Sequence, residues 1–275
     1  MHQRVTSSVA EACPPVRADK RRIAVNFSRA ASTYDYAAAL QDRVAARAML
    51  GLPSDRKPEF VLDLGSGTGR QTIQVAGHYP QATVLGMDLA IGMASHARNC
   101  FPNLDWCSGD IELLPFKDNR LDVVFSSLAI QWCTLNRVLE EVHRVLKPGG
   151  LFVFSTLAAG TMHELKQAWS QVDRHVHVNG FDAHSTQKHC VQQSDFQLHS
   201  FKLQTETIYY PTVMQLLRDM KALGVNTVPS RQNGLMSRHR LLKLQDAYDV
   251  FRTEKGLPLS YEVIYGILHK PLLIA

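Results

Sequence analysis

At 275 residues the chain can bury a sizeable core in one large domain, or in one domain with substantial insertions. Apolar residues make up 45% and charged residues 20%, ordinary values for a soluble globular protein, and no apolar run reaches the length of a membrane span. The formal net charge of +5 is spread along the chain; without zinc-finger spacing, an RNP-like aromatic strand or a basic arm, nothing points to nucleic acid.

Residues 1–18, polar and broken by Pro14-Pro15, read as a flexible tail with no apolar core of signal-peptide length. The segment 19–55 reads as N-terminal cap helices; Leu40, Val44, Ala48 and Leu50 fall on related faces and Gly51 provides a stop. From 56 onward strands and helices alternate. FVLDL (60–64), TVLGMD (83–88), LDWCSGD (104–110), LDVVFSSL (121–128) and GGLFVFSTL (150–157) are the strands, with KPGG (147–150) launching the fifth. Such alternation predicts a parallel sheet with helices on both faces. Beyond Leu157 the pattern loosens. TMHELKQAWSQVDRH reads as a helix capped by Thr161, followed by an irregular His-rich stretch. An extended segment, two amphipathic helices and a closing strand YEVIYGIL (261–268) complete the chain. Cap insertions are therefore expected at about 161–194 and 213–254, above the carboxyl ends of the strands where open α/β sheets bind ligands.

The stretch VLDLGSGTG carries glycines at 65, 67 and 69, with Asp63 just ahead. A dinucleotide fingerprint would read GxGxxG, and a P-loop would end in Gly-Lys-Ser/Thr, whereas Arg70 and Gln71 follow here. Either phosphate would also be repelled by Asp63. A ligand carrying an ammonium and a sulfonium suits that acid better. Five cysteines without a CxxC pair or an even framework predict reduced thiols in a cytoplasmic protein. His175, His177, His184 and His189 lack a recognisable ligand spacing, so no metal is expected.

These motifs resemble the Rossmann-like class I S-adenosylmethionine-dependent methyltransferases. The resemblance continues through GDIELLPF, DVVFSSLAIQW and LKPGGLFVFST, and covers roughly residues 25 to 160. It implies an α/β fold with a seven-stranded, mostly parallel sheet, helices on both faces and a helical cap. It also implies S-adenosyl-L-methionine as cofactor and S-adenosyl-L-homocysteine as product, with no metal. The cofactor contacts it suggests are Asp63, Gly65, Ser66, Gly67, Thr68, Gly69, Asp88, Leu89, Met93, Asp110, Ile111, Ser127 and Leu128. Asp88, about twenty residues past the glycines, would accept from both ribose hydroxyls, and Asp110 with Ile111 would flank adenine.

Ser126-Ser127-Leu128 replaces the Asn/Asp-Pro-Pro-Tyr of base-amine methylation. A closer similarity lies in FSRAASTYDYAAALQ, LLRDMKALGVNT, RHRLLKLQDAY and GLPLSYEVIYGIL. These resemble the malonyl-acyl-carrier-protein O-methyltransferases of biotin synthesis, from Val25 to Leu268. The resemblance implies esterification of the free carboxylate of a malonyl thioester, carried by acyl carrier protein or coenzyme A. Tyr34 is then the candidate cap residue touching cofactor or substrate. Arg174, Arg238 and Arg240 are candidates for a carboxylate clamp; the family tends to carry an arginine near the position of Gly180, so the clamp stays open. The competing readings are a small-acid methyltransferase of trans-aconitate type and a non-catalytic S-adenosylmethionine-binding module.

Overall fold

The computed structural model describes residues 19–224 and 237–272; the tail expected over 1–18 and part of the cap expected over 213–254 lie outside the described residues. Seven strands form one sheet: β1 Phe60–Leu64, β2 Thr83–Asp88, β3 Asp105–Ser108, β4 Leu121–Ser127, β5 Leu146–Leu157, β6 Gln197–Tyr210 and β7 Leu257–His269. Their spatial order is β3-β2-β1-β4-β5-β7-β6. The first five pair in parallel and β7 runs antiparallel between β5 and β6. Parallel strands covered on both faces need near-continuous apolar sequence, and Leu62, Val124, Phe125, Phe152 and Phe154 are fully buried.

Helices α3 Arg70–His78, α4 Ile91–Cys100 and α5 Leu135–Val145 follow β1, β2 and β4. In α5, Val138, Leu139, Val142 and Val145 form the buried stripe, the i, i+4, i+7 spacing of a helix with one apolar face. The order of strand addition reverses between β1 and β4, β2 and β3 lying to one side and β4 and β5 to the other. That switch point opens a crevice at the carboxyl ends of the strands.

α1 Lys20–Ala30 is capped by Asp19, whose Oδ1 accepts from Arg21 N at 2.9 Å. It packs on α4, where Ser28 Oγ accepts from Gly92 N at 3.1 Å. A 3-10 turn, Tyr34–Ala37, leads into α2 Ala39–Met49. α2 packs on β4, β5 and α3 through Ala48, its Leu40 and Val44 join the buried cluster of Trp169, Leu216, Leu244 and Tyr248, and Leu50 ends the helix and is exposed.

Three further differences from the sequence reading have local causes. β5 begins at Leu146 rather than 150, with Gly149 at φ +75° inside an irregular lead that still pairs Leu146 with Leu121. α6 begins at His163 and ends at Ser170. Thr161 does not cap it, because its hydroxyl accepts from Glu262 N at 3.0 Å and so ties the loop to β7. The His-rich stretch contains a helix, α7 His184–Gln192, which packs on α5 and β6 rather than in the cap. The cap proper consists of α6, α8 Val213–Ala222 and α9 Arg238–Asp249, gathered around Trp169, Leu216, Leu244 and Tyr248. Among the described residues no helix is long and apolar enough to cross a membrane.

Candidate active site

A cleft of about 820 Å³ lies at the switch point. Its floor comes from loops at the carboxyl ends of four strands: Gly65 to Gly67 after β1, Asp88 and Leu89 after β2, Asp110 and Ile111 after β3, Ser127 to Ala129 after β4. Gly65 and Gly67 have φ of +73° and +54°, the left-handed region that side chains resist. A Cβ on Gly65 would lie 2.2 Å from Ala129 Cβ, so this glycine lets two loops meet. A Cβ on Gly67 would meet nothing within 4 Å: it would enter the open cleft.

Asp88 fastens the floor. Its carboxylate accepts from Gly67 N at 2.9 Å and Ala90 N at 2.7 Å. Burial raises its pKa, and the two amides pull it back. Leu128 also holds a left-handed backbone, φ +50°, with its amide donating to Ser155 O at 3.1 Å. Such strain in a non-glycine residue concentrates at ligand sites.

The roof is α1 and the turn after it. Phe27 packs its ring 6.3 Å from Tyr34 and 5.9 Å, edge-on, from Trp132. Burial first, then the charges of Asp88, Asp35 and Asp42, raise the Tyr34 pKa far above its ordinary value, so the phenol stays neutral and able to donate. Lys20 closes one end, donating to both Asp110 oxygens at 2.8 and 2.6 Å and pairing with Glu112. Burial works against the Lys20 charge, but those two acids outweigh it and raise its pKa.

Two further spaces adjoin the cleft. A chamber of about 630 Å³ shares Phe27, Tyr34, Gln41, Leu128 and Trp132 with it and reaches under the cap to His177 and Tyr261. A groove of about 1380 Å³ runs on from the chamber past Gln131, Asn179 and Phe181. His177 is held by stacking on Trp169, centroids 3.7 Å apart, and by an Nε2–Asp173 Oδ1 contact of 2.8 Å. Burial opposes the Asp173 charge; hydrogen bonds from His177, the His175 amide and Arg240 outweigh it and bring its pKa down to about 2.

Comparison with known proteins adds kinship to this geometry. Residues 62–154 match the family model described as a methyltransferase domain. The YcgJ protein of Bacillus subtilis shares the fold, with a TM-score of 0.57 at 18% identity over 82% of this chain and 99% of that one. The biotin biosynthesis bifunctional protein BioHC of Cellvibrio japonicus is 43% identical over 92% of this chain, which spans only 51% of that protein's length. The malonyl-[acyl-carrier protein] O-methyltransferase of Serratia marcescens is 41% identical over 92% of this chain and 96% of its own. The chain belongs to the malonyl-[acyl-carrier protein] O-methyltransferase family.

Of the residues singled out in the sequence, Tyr34, Gly65, Ser66, Gly67, Asp88, Leu89, Met93, Asp110, Ile111, Ser127 and Leu128 lie on the cleft wall. Three motif residues lie behind it. Thr68 donates to Asp35 Oδ1 at 2.7 Å. Gly69 caps α3, where a Cβ would strike the Trp106 ring at 2.5 Å. Asp63 is buried and accepts from Thr72 Oγ1 at 2.6 Å. The clamp arginines are not brought into the site either. Arg174 and Arg238 are exposed and line neither cleft nor chamber, and Arg240 is paired with Asp173 and lies over Trp169. Lys20, Phe27, Gln41, Gln131 and His177 line the three spaces without having been singled out for them. Phe27 and Gln41 lay at the two ends of the FSRAASTYDYAAALQ stretch, Gln131 lay in DVVFSSLAIQW, and His177 was weighed only as a metal ligand; Lys20 carried no signal.

Asp63 yields a pH prediction. Burial first, opposed by the Thr72 bond and aided by Asp88, pushes its pKa up to about 7. Unfolded aspartate ionises near pH 4, so the folded protein holds the proton more tightly. Its stability contribution is lost as pH rises through that window to about 7. Asp63→Asn keeps an acceptor for Thr72 and cannot ionise. The variant should be more stable than the parent by about 1–3 kcal/mol at alkaline pH, with the gap closing in acid. Parallel melting curves at every pH would refute this.

Proposed function

We propose that this chain transfers a methyl group from S-adenosylmethionine to the free carboxylate of a malonyl thioester, forming the methyl ester that primes pimeloyl assembly in biotin synthesis. One observation carries the reading beyond kinship: the cleft shares a wall of side chains with a second chamber, which in turn shares a wall with a groove. A donor and a chain-borne acceptor would need that arrangement.

The cleft suits the donor. Ser66 Oγ and Gln41 Oε1 are buried beside it without hydrogen-bond partners among the described residues. An amino acid end offers an ammonium to Gln41 Oε1 and a carboxylate to Ser66 Oγ. Asp88 has lone pairs left for ribose hydroxyls. Ile111, Leu89 and Met93 form an apolar slot for a flat base, closed by Lys20 and Asp110. When bound, S-adenosylmethionine supplies a methyl already activated on its sulfonium.

The chain's own work is placement. A carboxylate of ordinary pKa is ionised at neutral pH, so no base has to remove a proton. Tyr34, neutral and facing both spaces, can donate to an incoming carboxylate. His177, held by Asp173, lines the chamber. Phe27, Leu128 and Trp132 keep water from the junction. Proximity and orientation of this kind account for several kcal/mol of a barrier, which is why catalysis can proceed without a dedicated acid or base. The cytoplasm is the compartment in which we place the reaction.

Mass spectrometry of malonyl-carrier protein incubated with enzyme and cofactor should show the gain of one methyl that alkali removes. A succinyl thioester, one methylene longer, should react at least about tenfold more slowly, because its carboxylate overshoots the junction. Esterification of free trans-aconitate in preference to any thioester would overturn the proposal.

A further inference from the structure

Gln131 occupies the wall where chamber and groove meet, on a 3-10 turn, Ile130–Trp132, just past β4. Its Nε2 donates to Leu128 O at 2.6 Å. A backbone carbonyl can only accept, so this contact fixes which end of the amide is which. Gln131 Oε1 is therefore an acceptor. It is shielded from solvent and has no donor among the described residues. A buried acceptor left without a donor is disfavoured, and in a native structure such a group calls for a partner.

The missing partner must bring an N–H or O–H. A substrate carboxylate brings neither at neutral pH, so Gln131 is unsuited to the acid end of a malonyl group. The groove beyond it shows what does fit. Thr134, Asn136, Thr156 and Gln187 give it mostly neutral polar walls, with Ile130 and Leu135 between them and one further acid, Asp182, in the lining. Its cation, Lys20, is already paired with Asp110 and Glu112, and Glu112 also receives the Thr134 amide. Walls of this kind match a slender chain of methylenes and secondary amides, not an anion.

We infer that the groove receives the amide-bearing arm of the thioester and that Gln131 Oε1 accepts one of its amide N–H groups. This rests on the proposed reaction and adds the path by which the substrate enters. Malonyl carboxylate lies in the chamber, the thioester passes Gln131, and the arm runs outward. Acyl carrier protein and coenzyme A present the same pantetheine arm, so the chemistry is shared between the two sources.

Four substrates separate the possibilities: malonyl-carrier protein, malonyl-coenzyme A, S-malonyl-N-acetylcysteamine with one amide, and S-malonyl-ethanethiol with none. In Gln131→Met the KM of the three amide-bearing substrates should rise about tenfold. The KM for S-malonyl-ethanethiol and the affinity for S-adenosylhomocysteine should not move. Wild-type kcat/KM then tells carrier protein from coenzyme A as the source of the arm. If the variant does not fold, the wild-type enzyme still decides. N-methylation of the N-acetylcysteamine amide removes its N–H and should raise KM by a similar factor. Methylation of all four substrates with equal KM ratios, and indifference to N-methylation, would overturn the groove assignment and leave the reaction standing. Failure to methylate any of the four would sink the reaction and the groove assignment together.

Discussion

Gly67→Val should abolish S-adenosylhomocysteine binding while leaving the sheet folded. The position tolerates a side chain as far as the protein is concerned, since a Cβ there meets no atom within 4 Å. The added atoms go into the cleft. The backbone at φ +54° will strain, at about 1–2 kcal/mol, and the Gly67 N–Asp88 Oδ2 bond of 2.9 Å will loosen with it. Affinity should fall by at least about 100-fold, the cost of steric overlap plus a lost anchor. Gly65→Ala makes the informative contrast. Its Cβ would lie 2.2 Å from Ala129, so melting temperature and binding should fall together. Titration calorimetry alongside thermal melts checks both; an unchanged affinity in Gly67→Val would remove the cofactor from this cleft.

The second large effect concerns the cap. Glu164 of α6 is only 3% exposed, and its carboxylate accepts from Ser260 N at 3.1 Å and Ser260 Oγ at 2.5 Å on β7. A buried charge deprived of a donor is costly: removing one partner of such a pair takes about 3–5 kcal/mol in other systems. Ser260→Ala retains the amide, so about 2–3 kcal/mol is expected. For a chain of this size that lowers the melting point by roughly 5–10 °C. Methyl transfer should fall as well, because α6 carries Trp169, the surface on which His177 stacks. Glu164→Gln, which sheds the charge and can still accept, should be milder. Equal melting points for Ser260→Ala and the parent would show that the contact contributes nothing.

Much of the sheet could be read in advance because the inner parallel strands are largely apolar on both sides, which few other elements demand; β3, Asp105–Ser108, is exposed at both ends. The floor of the cleft was legible for a related reason. Alternate glycines fix a backbone path, and the acid at the end of β2 must face whatever that path approaches. Side-chain direction was not legible. Asp63, Thr68 and Gly69 belong to the motif, yet Thr72, Asp35 and Trp106 hold them behind the wall. α7 was missed because HSTQKHCVQ buries only Gln187 and Val191, too few to mark a period. Lys20 reaches Asp110 across 90 residues of sequence, and Arg240 reaches Asp173 across 67. Contacts made over such separations leave no local pattern, so one roof residue was overlooked and one arginine was assigned to the wrong charge.

Phe27, Tyr34, Gln41, Leu128 and Trp132 belong at once to the cleft and to the chamber. A molecule that orders these side chains in one space has already met part of the entropic cost of ordering them for the other. Donor and acceptor affinities are then thermodynamically linked, and the linkage must be reciprocal: whatever factor the first ligand adds to the second, the second returns to the first. On the proposed reaction the two rooms form one cooperative unit, in which S-adenosylhomocysteine, by ordering the shared wall, would raise the affinity for the ester as well as occupy the place of the next cofactor.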